Sequence, residues 1–478
     1  MMNKEALLLA AIFAPIFGAL ILPLLGRVSQ GLRNNTALAL VALSCLCSLS
    51  FIPSVMGGKN IIFSFALPLS LSLTFYADTL AVFMAVVSSF IGAIIVLYSF
   101  DYISHYDNQN EYYLMVVLFL GAMMGLVYSA NLIYLFLFWE ITAIACWRLI
   151  GFYRGQRDVL KADKAFLVTV FGALVMLIGF VAIFQQTGTF NLIIMRGQVL
   201  PDIIVALILF GILSKSATLP FQTWLPDAGV APSPVTALLH AAVLVKIGVY
   251  VFARLFLMTF MISSSWHATV MMIAGASALV AAGAALVETD IKRLVAYSTI
   301  SQIGFIFLGL AAGNMVGAVG GLLYILMHGL AKGGLFLCAG IIEQNAKTKD
   351  ITRMGGLIRT MPVTAMAFLF CAFSVMGIPP LGGFFSKFMV ISGGIKSGEI
   401  WLTLVFIVGA FMTILYLFRA FTLIFLGESK GYPSREGSKM MVACVALLAI
   451  LSLAGGLLAN YPIGFLKTAG YQMVGLLK

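Results

Sequence analysis

Long apolar stretches separated by short polar segments run through almost the whole chain. Each stretch holds about 20 residues, the length that an α-helix needs to cross the hydrocarbon core of a bilayer. The pattern therefore predicts an all-α, polytopic membrane protein with about fourteen transmembrane helices. The predicted spans are 6–26, 36–54, 78–100, 112–130, 131–152, 163–185, 201–220, 234–256, 268–287, 294–312, 315–342, 362–394, 401–427 and 440–460.

Proline and glycine interrupt two of these spans, the seventh and the twelfth. Pro220 follows Lys215 closely, and the run Gly377-Ile378-Pro379-Pro380 precedes Lys387. A broken helix at membrane depth exposes backbone polar groups, an arrangement typical of ion sites in transporters. Because the two breaks are five spans apart, they indicate two inverted five-helix repeats.

The repeats divide the chain into four segments. We expect an N-terminal three-helix segment at 1–111, a first repeat at 112–256, a second, inverted repeat at 257–427 and a C-terminal helix at 428–478. Residues 57–75 alternate apolar and small polar side chains, which favours a short hairpin outside the membrane. The start of the chain lacks a small-residue cleavage site, so we expect a first membrane helix rather than a removed signal.

Composition agrees with a membrane location. Of the 478 residues, 62% are hydrophobic and 9% are charged, whereas soluble domains have about 25% charged residues. The net charge of +11 comes from scattered lysines and arginines rather than from a basic run, which argues against nucleic-acid binding. Six cysteines lack metal-ligand spacing and no nucleotide motif is present, so we expect no metal and no cofactor in this chain.

The distribution of basic residues predicts the orientation. Odd-numbered loops hold 15 of the 28 lysines and arginines, and the even-numbered loops and termini hold 7. By the positive-inside rule the odd loops are cytoplasmic. We therefore expect a multi-pass protein of the plasma membrane with both termini on the non-cytoplasmic side.

Six basic residues lie inside predicted spans and away from the span ends, and one carboxylate in a comparable position, Glu140, is there to neutralise them. A charged side chain at mid-membrane costs about 2.5–3.5 kcal/mol on insertion scales, so such residues are usually paired or functional. Buried lysine gives up its proton more readily than arginine does, so a set of buried lysines predicts a proton relay. The six basic residues are Arg148, Lys215, Lys246, Lys332, Lys387 and Arg419.

Two histidines lie near these lysines. His240 precedes Lys246 by six residues, and His328 precedes Lys332 by four, which places the second pair on one helix face. Imidazole titrates near neutral pH and can pass a proton. A histidine on an apolar helix face is also often a packed core residue, and both interpretations stay open here.

Glu140 has two candidate partners. It can hold a charge on Lys215 and so control proton release from that lysine. Alternatively, it forms a static ion pair with Arg148, which follows eight residues later on the same face. We favour the first interpretation. No second acid lies nearby, so the chain has no candidate catalytic residue.

Five longer motifs resemble one protein family. That family comprises the antiporter-like subunits of complex I, of energy-converting membrane-bound hydrogenases and of multisubunit Mrp-type sodium–proton antiporters. The resemblance extends from about Asp78 to Arg419. The motifs are Phe138-Trp139-Glu140, the run from Lys215 to Ala228, the run from Ala231 to His240, the run from Asp290 to Gln302 and the run from Gly377 to Phe384.

The resemblance implies a core of fourteen helices with two inverted five-helix repeats. It also implies that Glu140 and Lys215 form a coupled pair and that Lys246 bridges the two halves. Lys332 and Lys387 would continue the path through the second half toward the far side.

The sequence departs from the family pattern at two positions. Arg148 stands where the family commonly has a small or polar residue, which makes Arg148 a candidate modulator of the Glu140–Lys215 pair. Lys387 stands where some relatives use glutamate, which favours the Mrp and hydrogenase branches.

Three functions are compatible with these residues. The first is a proton- or sodium/proton-translocating subunit of a redox-driven pump that is hydrogenase-, formate- or NADH-linked, with no redox chemistry in this chain. The second is a subunit of a multisubunit secondary Na⁺/H⁺ antiporter. A quinone-reducing subunit is the least supported, because cofactor motifs are missing. The expected partners are the lipid bilayer, other membrane subunits (homologous antiporter-like ones among them) and peripheral redox subunits with iron–sulfur clusters.

Overall fold

The computed structural model describes residues 3–67, 72–431 and 435–475, most of which are helical. The helices are α1 Lys4–Val28, α2 Gln30–Met56, α3 Thr79–Tyr102, α4 Gln109–Tyr128, α5 Leu132–Ile150, α6 Gln156–Thr187, α7 Asp202–Lys215, α8 Trp224–Asp227, α9 Ser233–Ala237, α10 Leu244–Phe252, α11 Ser264–Val287, α12 Ile291–Ala311, α13 Met315–Ala346, α14 Pro362–Met376, α15 Gly382–Lys396, α16 Ile400–Phe425, α17 Lys439–Leu457 and α18 Asn460–Val474.

Capping side chains mark where several of these helices begin. Asp78, Asn131, Asp290 and Asn314 each precede a helix and accept a hydrogen bond from a backbone N–H of its first turn. Short polar side chains at this position satisfy N–H groups that have no partner within the helix. The polar positions between apolar stretches therefore act as helix starts.

Among the described residues, twelve helical segments are long and apolar enough to cross a membrane. This result confirms the prediction of an all-α, multi-pass membrane protein. The two interrupted spans are not among the twelve, because each is divided into shorter helices. The total of fourteen spans stays a prediction.

Both predicted interruptions are present. In the seventh span, α7 ends at Lys215 and a non-helical stretch leads to the single turn α8. In the twelfth span, Gly377 closes α14 with a left-handed backbone, at φ +85°, that glycine adopts without strain. The second half, α15, then carries Lys387. Beside the first break, Lys215 is the last residue of α7, and beside the second break, Lys387 lies in the second turn of α15.

The eighth span, Ser233–Leu257, is not a uniform α-helix. It consists of α9, a π-helical turn at Leu238–Ala242, α10 and a second π-helical turn at Ala253–Leu257. Its residues are buried throughout. π-Helical turns are rare and occur frequently at functional sites.

Two small sheets lie outside the helices. Strands β1 Ile61–Ala66 and β2 Ser72–Ala77 pair antiparallel and confirm the hairpin expected at 57–75, although residues 68–71 of that range lie outside the described residues. Strands β3 Gln198–Val199 and β4 Phe260–Met261 pair in parallel. This second sheet was not predicted, because two residues are too few to show a periodic pattern.

Helices α12 and α13 form the centre of the protein. Nearly all of their side chains are buried, and α13 packs against α9, α12, α14, α15 and α17. Peripheral helices instead expose apolar side chains, as α6 does with Leu160, Leu167 and Phe171. Central helices that face only protein can carry polar groups, and two of the candidate site residues, His328 and Lys332, lie on α13.

Candidate ion-translocation site

Four of the sequence-predicted lysines are buried. Lys215, Lys246 and Lys332 are 0% exposed, and Lys387 is 4% exposed. Among the described residues, no carboxylate lies within 4.0 Å of any of the four ammonium groups. Buried charges are normally paired, so these lysines require another explanation.

Lys215 lies beside Glu140 without a close ion pair. Its ammonium donates a hydrogen bond to the Trp139 carbonyl at 3.2 Å and lies 5.1 Å from the centre of the Trp139 ring. Glu140, the next residue on α5, interacts electrostatically with Lys215, but its buried Oε1 atom has no hydrogen-bond partner in the protein. The Glu140 carboxylate therefore lies near Lys215 without a hydrogen bond that holds its Oε1 atom in place.

Arg148 forms an ion pair with a residue other than Glu140. Its guanidinium forms an ion pair with Glu111 in the first turn of α4, and Glu111 also binds Arg154. The alternative of a static Glu140–Arg148 pair is therefore wrong. The reason is the antiparallel packing of α4 and α5, which brings the C-terminal end of α5 next to Glu111.

The π-helical turn of the eighth span meets α13 at Lys246. The Lys246 ammonium donates a hydrogen bond to the Ala241 carbonyl within the span. It also lies against Gly329 of α13, where an added Cβ would come within 2.7 Å of the Lys246 Nζ atom. Gly329 thus makes room for a lysine beside His328.

Both predicted histidines are fully buried and lack hydrogen-bond partners in the protein. His240 packs on Phe336 with ring centres 4.4 Å apart. Both ring nitrogens of His240 and both of His328 are without protein partners. Because buried polar atoms are nearly always hydrogen-bonded, these four nitrogens are suited to contact water or a transferred proton. If the two histidines served only to fill space in the core, the lack of hydrogen-bond partners for their ring nitrogens would be unexplained.

The part of the site around Lys332 and Lys387 contains further polar residues that the sequence did not indicate. Lys332 donates to Ser298 Oγ at 2.5 Å, and the Tyr416 hydroxyl donates to the same oxygen at 2.7 Å. The Gln302 amide donates to the Tyr416 hydroxyl at 3.4 Å and accepts from the Tyr324 hydroxyl at 2.5 Å. We call Ser298, Tyr416, Gln302 and Tyr324 the polar chain.

Lys387 lies at the far end of the polar chain. Its ammonium is 5.9 Å from the Tyr324 ring centre and 4.6 Å from the Phe305 ring centre, and it donates to the Val375 carbonyl at 2.7 Å. The missed residues come from three different helices. One signal was available, since Ser298 and Gln302 are polar, four residues apart and therefore on one face of an apolar span.

Five of the predicted site residues lie near one another, since His328 interacts electrostatically with His240, Lys246, Lys332 and Lys387. Glu140 and Lys215 form a second group. Beside Lys215, the buried hydroxyl of Ser216 has no partner in the protein and faces Gly248 of α10, two residues after Lys246. We call these seven predicted site residues the row; they come from both halves of the chain.

The sequence analysis missed two buried ion pairs. Arg254, at the end of the predicted eighth span and counted with the loop that follows it, is buried within that span, where it binds both carboxylate oxygens of Asp78 at 2.5 and 2.7 Å. Lys292, also expected in a loop, is 0% exposed and lies 2.9 Å from Glu343. In both pairs the partners are more than 50 residues apart in sequence, so no local pattern reveals them.

Among the residues that the structure describes, no group of three or more His, Cys, Asp or Glu side chains is placed to hold a metal ion. The six cysteines are free and buried. The row contains lysine, histidine and glutamate side chains, which can bind and transfer protons.

Comparison with known families gives two matches. The family model described as NADH:quinone oxidoreductase/Mrp antiporter, TM, matches residues 129–413. The model described as NADH-ubiquinone oxidoreductase (complex I), chain 5 N-terminus, matches residues 64–113. The first match covers more than half of the chain and includes every residue of the row.

Curated relatives include two Na⁺/H⁺ antiporter subunits A1. The one from Staphylococcus saprophyticus is 33% identical over 98% of this chain and 63% of its own length. The one from Staphylococcus haemolyticus is 31% identical over 95% of this chain and 61% of its own length. The chain thus spans about three fifths of the length of these relatives.

Three solved structures share the fold. The Mrp complex from Dietzia sp. matches with a TM-score of 0.90 and 22% identity over 99% of this chain and 98% of its own. The membrane-bound sulfane sulfur reductase, an archaeal respiratory membrane complex, matches with 0.91 and 24% identity over 99% of both chains. Respiratory complex I from Thermus thermophilus matches with 0.86 and 23% identity over 99% of this chain and 100% of its own. At these identities the likeness concerns the fold alone.

Proposed function

Because this chain belongs to the NADH:quinone oxidoreductase/Mrp antiporter transmembrane family, we propose that it translocates protons, or sodium ions and protons, across the membrane. The path is the row formed by Glu140, Lys215, His240, Lys246, His328, Lys332 and Lys387. The curated relatives support this function, since those that match along nearly the whole chain are Na⁺/H⁺ antiporter subunits.

The four buried lysines without a close carboxylate carry the proposal. A static ammonium ion at this depth has a high desolvation cost, whereas a lysine that alternates between charged and neutral forms bears that cost only in part of the cycle. Of the other deeply buried cations, Arg254 and Lys292 have carboxylate partners, and Arg33 donates to the side-chain amide oxygens of Gln109 and Asn110. The lysines of the row are therefore distinct from cations that serve only to hold helices together.

In the first half of the path, Glu140 controls whether Lys215 keeps or releases its proton. When its carboxylate approaches Lys215 it favours the charged lysine, and when it moves away the ammonium releases its proton toward Ser216 and Lys246. His240 and His328 receive protons near Lys246, and Lys332 passes them to Lys387. Each step is a proton transfer between neighbouring groups, so the chain itself performs no redox reaction.

The two broken helices support a pair of related half-channels. Each break has a lysine beside it: Lys215 ends the helix before the break in the seventh span, and Lys387 lies in the second turn of the helix after the break in the twelfth. We assign these halves to the repeats 112–256 and 257–427, related by inversion. In inverted repeats each half opens to the opposite side of the membrane.

The source of energy distinguishes two versions of the proposal. In the first, the chain is a subunit of a redox-driven pump with peripheral iron–sulfur subunits. In the second, it is a subunit of a secondary Na⁺/H⁺ antiporter with membrane subunits alone, the version favoured by the similarity to subunit A1 of such antiporters. In both versions the complex is in the plasma membrane.

Purification of the native complex in mild detergent, with mass spectrometry and iron analysis, distinguishes the versions. Co-purifying iron–sulfur subunits indicate the redox-driven pump, and small hydrophobic subunits without iron indicate the antiporter. Reconstitution of the same complex in vesicles with a pH-sensitive dye then tests translocation itself. A Lys332→Met variant that assembles normally and transports at the wild-type rate would contradict the proposed path.

A further inference from the structure

A polar cavity opens on the protein face where the loops before α6, α12 and α14 meet. Its volume is about 230 Å³. Pro226, Gly229 and Val230, from the region of the seventh-span break, form one wall. Charged side chains line the rest, namely Arg157, Asp158, Lys161, Asp290, Arg293 and Lys349. The positive-inside rule predicts that this face is cytoplasmic.

An ion pair connects this cavity with the protein interior. Lys349, which lines the cavity, lies 3.1 Å from Glu343, and Glu343 lies 2.9 Å from Lys292. Side-chain exposure falls along this series, from 32% for Lys349 to 20% for Glu343 and 0% for Lys292. The Glu343 carboxylate therefore joins a solvated cation to a fully buried one.

Two hydroxyl groups continue inward from Glu343 along the eighth span. Ser233 Oγ donates to Glu343 at 3.4 Å, and Thr236 Oγ1 donates to the Ser233 carbonyl at 2.9 Å. Ser233, Thr236 and His240 are spaced three and four residues apart and so lie on one helix face. All three are fully buried. The polar face ends at the imidazole nitrogens of His240, which have no protein partner.

Gly340 keeps the space beside Ser233 open. A Cβ atom at Gly340 would lie 2.7 Å from Ser233 Cβ and 2.7 Å from the Tyr98 hydroxyl oxygen. The absence of a side chain at this position of α13 thus leaves room for the Ser233 side chain and the Tyr98 hydroxyl.

We propose that Lys292, Glu343, Ser233 and Thr236 form the access route by which protons pass between the cavity and His240. This inference rests on the proposed function and adds to it the side and the entrance of the path. A proton taken from the cavity binds Glu343, passes through the Ser233 and Thr236 hydroxyls with bridging water, and reaches His240. Only protons move, and each group regains its starting state in the next transfer.

The other buried ion pair is a useful contrast. In Asp78–Arg254 both carboxylate oxygens are held by one guanidinium, and the side chains are 2% and 7% exposed. Tyr250, which accepts a hydrogen bond from Arg254, donates in turn to the Val127 carbonyl. The hydrogen bonds of the Asp78–Arg254 pair therefore end at a backbone carbonyl, whereas those of the Glu343 pair lead toward His240.

Transport measurements on the full chain in its complex test the route. The double variant Lys292→Met with Glu343→Gln removes both charges at similar volume, and Ser233→Ala removes one hydroxyl. We expect each to slow proton transport by at least about a hundredfold, the lower end of the range for loss of a proton-transfer group. Gly340→Ala is expected to have the same effect by closing the gap. Ser452→Ala is the matched control and should transport normally, because Ser452 is also fully buried, donates to the Leu448 carbonyl of its own helix at 2.9 Å and lies outside the route.

The result with Lys332→Met separates the two proposals. If that variant is inactive while the double variant and Ser233→Ala assemble and transport at the wild-type rate, the access route is wrong and the row stands. If all of these variants transport normally, the row itself is wrong. Should the double variant fail to assemble, Ser233→Ala decides, because loss of one hydroxyl leaves the ion pair intact.

Discussion

The buried cations of the ion pairs and the buried lysines of the row are stabilised in two different ways. Arg254 and Lys292 each have a carboxylate partner close by, as buried cations normally do. Lys215 and Lys246 instead donate only to backbone carbonyls, and Lys332 to a carbonyl and a hydroxyl. Groups of the second kind can lose a proton without leaving a counter-charge unpaired, which is the property that a relay requires.

Removing either the Glu140 carboxylate or the Lys215 ammonium should stop transport. Glu140→Ala and Lys215→Ala are each expected to reduce coupled ion movement by at least about a hundredfold while the complex still assembles. Lys246→Ala should impair coupling as well. The measurement is dye-monitored transport in vesicles, normalised to assembled complex.

Arg419→Ala is the control for these variants. Arg419 is partly exposed near the end of α16 and donates to the Glu288 carbonyl at 2.9 Å, away from the row. We expect transport close to the wild-type rate. Normal pumping in both Glu140→Ala and Lys215→Ala would contradict the row as a path.

The Tyr416 hydroxyl should matter for transfer between Lys332 and Lys387. Tyr416→Phe removes the donor to Ser298 without changing the ring and is expected to slow transport by up to about tenfold, the rate equivalent of one hydrogen bond. Tyr112→Phe is a matched control, because Tyr112 is equally buried and its hydroxyl also lies 2.7 Å from a serine, Ser99, outside the row. Equal rates for both variants would exclude the polar chain from the path.

At the scale of elements, interruptions and junctions place the site. The breaks in the seventh and twelfth spans put Lys215 and Lys387 beside non-helical backbone, and the π-helical turn at Leu238–Ala242 brings Lys246 against α13. A charged junction also joins α6, α8 and α12, where Asp227 binds Lys161, Lys164 and Arg293. The junction holds the segment after the first break in place.

Stability should depend on pH through this junction. Burial alone would raise the pKa of Asp227, but hydrogen bonds from Lys164 and Arg293 outweigh it and the pKa is lowered. The resulting stabilisation is present above the usual aspartate pKa of about 3.9. It is lost as the pH falls through the lower pKa of the folded state.

Asp227→Asn tests this dependence. We expect the variant to lose about 1.5–3 kcal/mol of stability at pH 7, the range for hydrogen bonds to a charged group, and to lose less than the wild type on acidification. Thermal unfolding in detergent at pH 7 and below pH 4 measures both effects. Asp107→Asn, at an exposed position, should unfold like the wild type, and an unchanged Asp227→Asn profile would refute the prediction.

At the scale of the whole molecule, the loops rich in basic residues meet on one face. Arg157, Asp290 and Lys349 come from three odd-numbered loops and line one cavity. This arrangement agrees with the alternation of loops that was predicted from charge. Which side of the membrane this face occupies is a prediction of the positive-inside rule.

Thiol labelling of intact cells tests the orientation. Ser265 and Ser429 are exposed and belong to an even- and an odd-numbered loop region, and the native cysteines are buried. A membrane-impermeant thiol reagent should label Ser265→Cys and leave Ser429→Cys unlabelled until the membrane is opened. The reverse pattern would place both termini in the cytoplasm.

The sequence by itself determined the membrane class and both interruptions, and it placed seven charged or histidine residues in apolar segments, whose role in ion translocation stays a prediction. These follow from local properties, because hydropathy, helix breaking and the cost of a buried charge depend on a residue and its near neighbours. Only the tertiary structure decided which charges pair, since Arg148 binds Glu111 and Arg254 binds Asp78 through contacts between distant helices. The polar chain and the route from Glu343 to His240 likewise arise where separate helices pack, and no single segment of the sequence contains them.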